Sequence, residues 1–217
     1  MTRPVEIELP DATLHGDPSV PDRATGLVIF AHGSGSSRLS PRNRFVAERI
    51  NEAGMATLLM DLLTAEEERT DEVTAGLRFD IRLLARRVAQ VVAWAERQNI
   101  LASLPVGLFG SSTGAAAALV ATAGLPEGAV KAVVSRGGRP DLASDALPRV
   151  ACPVLLIVGG RDDVVIELNE EARAKMNCPA EIVVVPGATH LFEEPGALEQ
   201  VADLAAGWFG QHLVVTK

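Results

Sequence analysis

The stretch Val106–Gly114, reading Val-Gly-Leu-Phe-Gly-Ser-Ser-Thr-Gly, constrains this chain more than any other. An apolar run enters Gly110-Ser111-Ser112-Thr113-Gly114, and a segment made almost wholly of Ala, Leu and Val leaves it. A strand that turns sharply into a helix holds its corner residue in a strained conformation with the side chain projecting. Glycines on either side, lacking Cβ atoms, let neighbouring chain crowd that corner. The pattern therefore predicts an elbow that lifts the Ser112 hydroxyl over a helix N-terminus. Unpaired N–H groups and the helix dipole favour developing negative charge there. A Ser/Gly turn in an ordinary loop is the competing explanation, and it accounts for neither flank.

The remaining segments supply more strands and helices. Val5–Leu9 alternates apolar and acidic residues, as an edge strand exposed on one face does. Glu6 and Glu8 on that edge discourage pairing between copies, so a monomer is expected. His15–Ala24, with Gly16, Pro18 and Pro21, reads as a turn-rich connection. Gly26–His32 is a continuous apolar run, the pattern of a strand buried on both faces, and it ends in the loop His32-Gly33-Ser34-Gly35-Ser36-Ser37. Ser40 as N-cap and Pro41 at the first helical position open a helix that buries Val46, Ile50 and Ala53 and stops at Gly54. Met55–Asp61 is a second buried strand, and Leu62–Gly76, with Glu66-Glu67-Glu68, reads as a solvated acidic loop.

From Phe79 to Gln98, Ile81, Leu84, Val88, Val91 and Ala95 recur at helical spacing, with Arg82, Arg86, Arg87 and Arg97 on the solvated side. Pro105–Gly110 leads into the elbow, and the small side chains of Thr113–Ala123 suit a helix pressed against a sheet. Ala132–Ser135, Val154–Gly159 and Glu181–Val185 are further buried strands, and helices are expected over Val165–Met176 and from about Gly196 to His212. Buried strands alternating with helices predict a mostly parallel central sheet covered on both faces. Right-handed crossovers bring the strand C-terminal ends to one edge, where sites form in open α/β sheets. With no repeat or linker, the 217 residues read as one domain.

A formal net charge of −8 excludes nucleic acid and anionic membrane as the main partner, because both select basic surfaces. No apolar stretch reaches the length of a membrane span, and Met1–Glu8 lacks the apolar core of a secretory signal. Cys152 and Cys178 make neither a disulfide framework nor a metal site by spacing and read as reduced structural thiols. The cytoplasm is the expected compartment.

Serine is a poor nucleophile until a base takes its proton, and that base needs an orienting partner. Of the four histidines, His15 and His32 precede the elbow and His212 lies near the end of the last helix. His190, in Gly187-Ala-Thr-His190-Leu-Phe after the final strand, belongs to a loop at the catalytic edge. It is the candidate base, with His32 read as structural. Leu156-Ile-Val-Gly-Gly-Arg-Asp162-Asp163 places an acid directly after a buried strand; Asp162 is the candidate and Asp163 the fallback, which also suits a helix cap. An acyl-transfer intermediate needs two N–H donors for its oxyanion, and Thr113 and Ser34 are the candidates. Arg38, Arg42, Arg136 and Arg139 lie at the same edge. Arg136 or Arg139 is a candidate for pairing with a substrate carboxylate, against the alternative of ordinary ion pairs with Asp141 or Asp145.

With these four elements assembled, the chain resembles the α/β-hydrolase superfamily, and within it the compact dienelactone-hydrolase-like group. The pieces that match are His32-Gly-Ser-Gly-Ser, Gly110-Ser-Ser112-Thr-Gly114, Gly159-Gly-Arg-Asp162-Asp-Val and Gly187-Ala-Thr-His190-Leu-Phe, and they span almost the whole chain. The resemblance implies an α/β-hydrolase fold and an esterase-like serine hydrolase using Ser112, Asp162 and His190, with no metal or cofactor. The chain is also similar to hydrolase domains that some bacterial proteins carry fused to a phosphoribosyltransferase. Dienelactone hydrolases proper use cysteine where Ser112 stands, so a small carboxylic ester or thioester is the expected substrate. A haloalkane dehalogenase needs aspartate at that position and is excluded. Two other readings stay open: a small peptidase or amidase with the same triad, and a non-catalytic ligand-binding protein on this fold. Arg136–Pro153 is too short for the helical cap of many relatives, which predicts an open, shallow site.

Overall fold

In the computed structural model, which describes residues 4–213, the buried apolar runs pair into an 8-stranded sheet. The first half of the chain supplies β1 (Val5–Glu8), β2 (Thr13–Ser19), β3 (Leu27–Ala31), α1 (Pro41–Glu52), β4 (Ala56–Met60), α2 (Ala65–Thr74) and α3 (Ile81–Ala95). The second half supplies β5 (Val106–Ser111), α4 (Thr113–Gly124), β6 (Ala132–Arg136), β7 (Val154–Gly159), α5 (Asp163–Lys175), β8 (Ala180–Val185) and α6 (Ala197–His212). The spatial order is β1-β2-β4-β3-β5-β6-β7-β8. Pairing is parallel from β4 to β8 and antiparallel for β1 with β2 and β2 with β4. This is the α/β-hydrolase fold, with the elbow strand β5 near the middle of the sheet.

Side-chain alternation along each strand divides the core in two. Leu27, Ile29 and Ala31 of β3 face Val88, Val91 and the alanines of α4, whereas Val28 and Phe30 face α1 and α6. The apolar runs are continuous because both faces are covered, and each Leu, Ile or Val so buried contributes about 1.5–3 kcal/mol. α1 begins as its sequence dictates, with the Asn43 N–H donating to Ser40 Oγ and Pro41 in the first turn. Val46 and Ile50 are buried, but Ala53 caps the helix at the surface and Ala47 takes its place in the core. Between Arg136 and Pro153 there are only two short 3-10 turns, and no cap domain is present among the described residues.

Further expectations need correction. The first half of the segment read as a turn-rich connection, His15–Ser19, belongs to β2, which carries Gly16 and Pro18 inside the sheet, while residues 20–24 with Pro21 do form a turn. Among the described residues β1 pairs only as far as Gly16, so Pro18 of β2 lies beyond that pairing, where a missing N–H costs nothing. The segment read as an acidic loop contains α2. Thr64 Oγ1 accepts from the Glu67 N–H while the Glu67 carboxylate accepts from the Thr64 N–H, and the acidic residues fall in the first turn, where the dipole favours them. Finally, Arg87 is not solvated. Its side chain is 2% exposed and ion-paired at 2.8 Å to Asp11 and 2.9 Å to Glu67, joining α3 to α2 and to the turn after β1. The last strand, β8, is an open edge and largely half-exposed rather than buried.

His32, at the end of β3, ties the parallel strands together at their C-terminal ends. Its Nδ1 donates to the Gly33 carbonyl at 2.9 Å and its Nε2 accepts the Leu62 N–H at 3.1 Å, a pattern that requires the neutral ring. Burial pushes this imidazole below its ordinary value of 6.5, outweighing the opposite pull of the Gly33 carbonyl and the Asp61 carboxylate. The unfolded chain therefore takes up a proton at a pH where the folded chain does not. His32 stabilisation is complete above about pH 6.5 and is lost as pH falls below it.

Two predictions follow from this packing. A Cβ on Gly114 would overlap the main-chain oxygens of Ala31 and His32, so Gly114→Ala should cost about 3 kcal/mol or more in urea denaturation. Between pH 7.5 and 5.5 the wild type should lose more stability than His32→Gln, which lacks the buried titrating ring. Parallel curves for the two proteins would remove His32 as the source.

Candidate active site

The elbow forms as the sequence requires. Ser112 sits between β5 and α4 with φ 50° and ψ −120°, a conformation that costs a residue with a Cβ on the order of 1–3 kcal/mol. Main-chain hydrogen bonds hold it there. The Ser112 N–H donates to the Arg136 carbonyl at 3.2 Å, and the Ser112 carbonyl accepts from Ala115 at 3.1 Å and from Arg139 at 3.2 Å. The Ser112 side chain makes no capping bond to α4. Beside it, Ser111 Oγ donates to Asn43 Oδ1 at 3.2 Å, anchoring the end of β5 to the first turn of α1.

His190 and Asp162 meet at the same edge. Nδ1 of His190 lies 2.7 Å from Asp162 Oδ2, although the two residues come from loops after β8 and β7. Asp162 precedes α5 but makes no capping bond, which leaves its carboxylate for the ring; Asp163, the fallback, is the first residue of the helix. The Arg161 N–H donates to the Ala188 carbonyl at 2.9 Å and the Thr189 N–H donates to Glu194 Oε2 at 3.0 Å, so both loops are held to fixed partners. Hydrogen bonding from Thr189 keeps the Glu194 carboxyl below its ordinary value.

Gly137 completes the seat of the ring. With φ +50° it turns β6 away at the edge, and a Cβ there would lie 3.5 Å from His190 Cε1 and 3.1 Å from the His190 carbonyl oxygen. The ring therefore rests beside the residues that hold the backbone of Ser112. Among the described residues, no hydrogen bond joins Ser112 Oγ to His190. Such bonds often close only when substrate binds.

On the other side of the elbow, Ser34 and Thr113 line one cavity of about 210 Å³. The loop Gly33–Ser36 that carries Ser34 reaches Ser112: a Cβ on Gly33 would lie 3.1 Å from Ser112 Cβ. Glu68 and Glu72 of α2, together with Leu62 and Leu84, contribute to the rest of the wall. Among the described residues, no group of three His, Cys, Asp or Glu side chains is placed to hold a metal ion.

The arginines separate clearly. Arg139 is engaged, with Nε and Nη2 donating to the two oxygens of Asp141 at 2.8 and 2.7 Å. Arg38 bonds Asp61 and Asp17, and Arg42 bonds Glu193 at 3.0 Å. Arg136 is 7% exposed and forms no ion pair among the described residues, and its Nη1 is buried without a hydrogen-bond partner. Burial first, and then the nearby Arg42 cation, push its guanidinium from 12.5 down to about 10. One buried polar residue escaped the sequence reading. Asn169 of α5 is fully buried and donates to the Gly138 and Val165 carbonyls, yet its neighbours Glu167, Glu170 and Glu171 disguise it as part of a polar helix face.

Comparison with known proteins agrees with the fold. The chain is 54% identical to a dienelactone hydrolase from Anabaena variabilis of known structure, with a TM-score of 0.96 over 98% of each chain. Est1E from Butyrivibrio proteoclasticus shares the fold at 17% identity, with a TM-score of 0.80 over 96% of this chain and 98% of that one. Two Mycobacterium tuberculosis proteins, each named “Putative phosphoribosyl transferase”, are 61% identical over 91% of this chain. The match covers 44% of their length, so the chain spans less than half of those relatives. No helix of the described residues is long and apolar enough to cross a membrane. The model of the dienelactone hydrolase family matches residues 11–209, and with the elbow, the His190–Asp162 pair and the uncapped sheet this establishes that the chain belongs to that family.

Proposed function

We propose that the protein is a serine hydrolase of small carboxylic esters or thioesters. The observation that carries the reading is the strained Ser112 at the sheet edge that also holds the His190–Asp162 pair. Ser112 Oγ bonds to the substrate carbonyl carbon as its proton passes to His190 Nε2. Asp162, accepting from Nδ1–H, fixes the tautomer and stabilises the imidazolium. The carbonyl π pair moves onto oxygen, which the N–H groups of Thr113 and Ser34 receive. Collapse of that intermediate breaks the C–O or C–S bond, and the leaving group takes the proton from His190. Water then attacks the acyl-Ser112 ester by the same route and releases the acid.

Within this reading, Arg136 receives a carboxylate on the substrate. Arg139 is committed to Asp141, whereas Arg136 is a buried cation without a counter-ion among the described residues. Its fall from 12.5 to about 10 corresponds to a cost of about 3 kcal/mol for holding the charge there, which an anionic ligand would offset.

Wild type and Ser112→Ala should differ by about a million-fold in turnover of short p-nitrophenyl esters, with fluorophosphonate label recovered on Ser112 by mass spectrometry. Equal rates and no label would end the serine-hydrolase reading; comparison of ester and anilide substrates separates esterase from amidase. The specificity claim is read as a ratio. Arg136→Met should reduce kcat/KM for p-nitrophenyl hemisuccinate relative to the butyrate by about ten- to a hundredfold, while raising thermal stability through loss of an unpaired buried charge. An unchanged ratio, with lowered stability, would make Arg136 a structural residue.

A further inference from the structure

Two of the three main-chain hydrogen bonds that hold Ser112 come from the short segment Arg136–Arg139. Its first and last residues bond the Ser112 N–H and carbonyl, and its Gly137 carries the His190 ring. It has little freedom of its own, since a Cβ on Gly138 would overlap Ser135 Oγ. The Gly137 N–H donates to the Ile157 carbonyl at 2.8 Å. Asn169 is the side chain that ties this loop to α5. Its Nδ2 donates to the Gly138 carbonyl at 3.1 Å and to the Val165 carbonyl at 2.7 Å, and its Oδ1 is buried without a partner among the described residues.

The position of α5 gives that bond its meaning. The helix begins directly after Asp162, and Val165 lies in its first turn. One amide group therefore holds the N-terminal turn of the acid's helix and the loop that seats both the nucleophile and the base. We infer that Asn169 is a positioning residue that sets the distance between the Asp162 carboxylate and the Ser112–His190 side of the site. The inference rests on the triad reading above. Tolerating a buried, half-satisfied amide costs stability. Holding catalytic groups in register compensates, because displacements of about 1 Å cost about a hundredfold in rate.

Three variants test it against a purely structural role. Asn169→Leu keeps the branched outline of the side chain and removes both donors; kcat should fall about ten- to a hundredfold with KM unaltered. Asn169→Asp keeps the shape. Its carboxyl, buried and so protonated well above the usual carboxylate range, donates one hydrogen bond at low pH and none once ionised, when it repels both carbonyls. Its kcat relative to wild type should therefore rise as pH falls. Asn169→Ser provides a smaller variant should leucine not fold. Variants that lose thermal stability but keep wild-type kcat, or an Asn169→Asp ratio flat with pH, overturn the inference.

Failure of the triad reading itself is recognised separately, by wild-type and Ser112→Ala rates that coincide. In that case the ¹⁵N resonances of the His190 ring, which report its bond to Asp162 without turnover, decide the matter. A shift in Asn169→Leu sustains the positioning role, and unchanged resonances reject it.

Discussion

Ser112 occupies a backbone conformation that an isolated peptide would leave, and main-chain hydrogen bonds from two directions keep it there. Its own helix supplies one, through the Ala115 N–H, and the loop after β6 supplies two, through the Arg136 carbonyl and the Arg139 N–H. The strain is sustained only because neighbouring structure over-determines it. Gly114 lets the start of α4 approach the carbonyls of Ala31 and His32, and the neutral His32 ring binds the end of β3 to the chain after β4. The middle of the sheet is thus organised about one residue whose hydroxyl is left uncommitted to its helix.

The surroundings of that residue are unequal in charge. Arg136, with Arg42 nearby, gives the α1 side a buried cation, while the cavity at Ser34 and Thr113 is walled in part by carboxylates of α2. α2 itself depends on polar bonds rather than apolar packing. Val73 is 87% exposed, and the helix is secured by its capping box, by Glu67 to Arg87 and by Asp71 to Arg78 at 2.6 Å. With no cap domain among the described residues, this polar helix and the loop that bears Ser34 form much of the wall beside the elbow.

Much of this was legible in the chain itself, for identifiable reasons. Strands buried on both faces are apolar without interruption, so β3, β4, β5, β6 and β7 could be read directly. The Ser40–Pro41 start of α1 is a local signal, satisfied by atoms three residues apart. β2 and α2 were misread because their sequences carry the marks of loops: prolines in one, charges in the other. What makes β2 a strand is its pairing with β1 and β4, and what steadies α2 is Arg87, a residue of another helix. Arg87 and Asn169 look like solvated positions on polar faces, and only partners distant in sequence show that they are buried.

The sequence by itself determined the central strands β3 to β7, the elbow and the candidate residues at the strand ends, because these depend on spacing and on side chains adjacent along the chain. Tertiary structure decided the rest: that Asp162 and not Asp163 meets His190, that Arg139 is paired and Arg136 is not, and that Asn169 joins α5 to the loop behind Ser112. Each of these turns on which groups meet across loops from different strands. Hydrogen bonds and desolvation act over a few ångströms in space, whatever the separation along the chain.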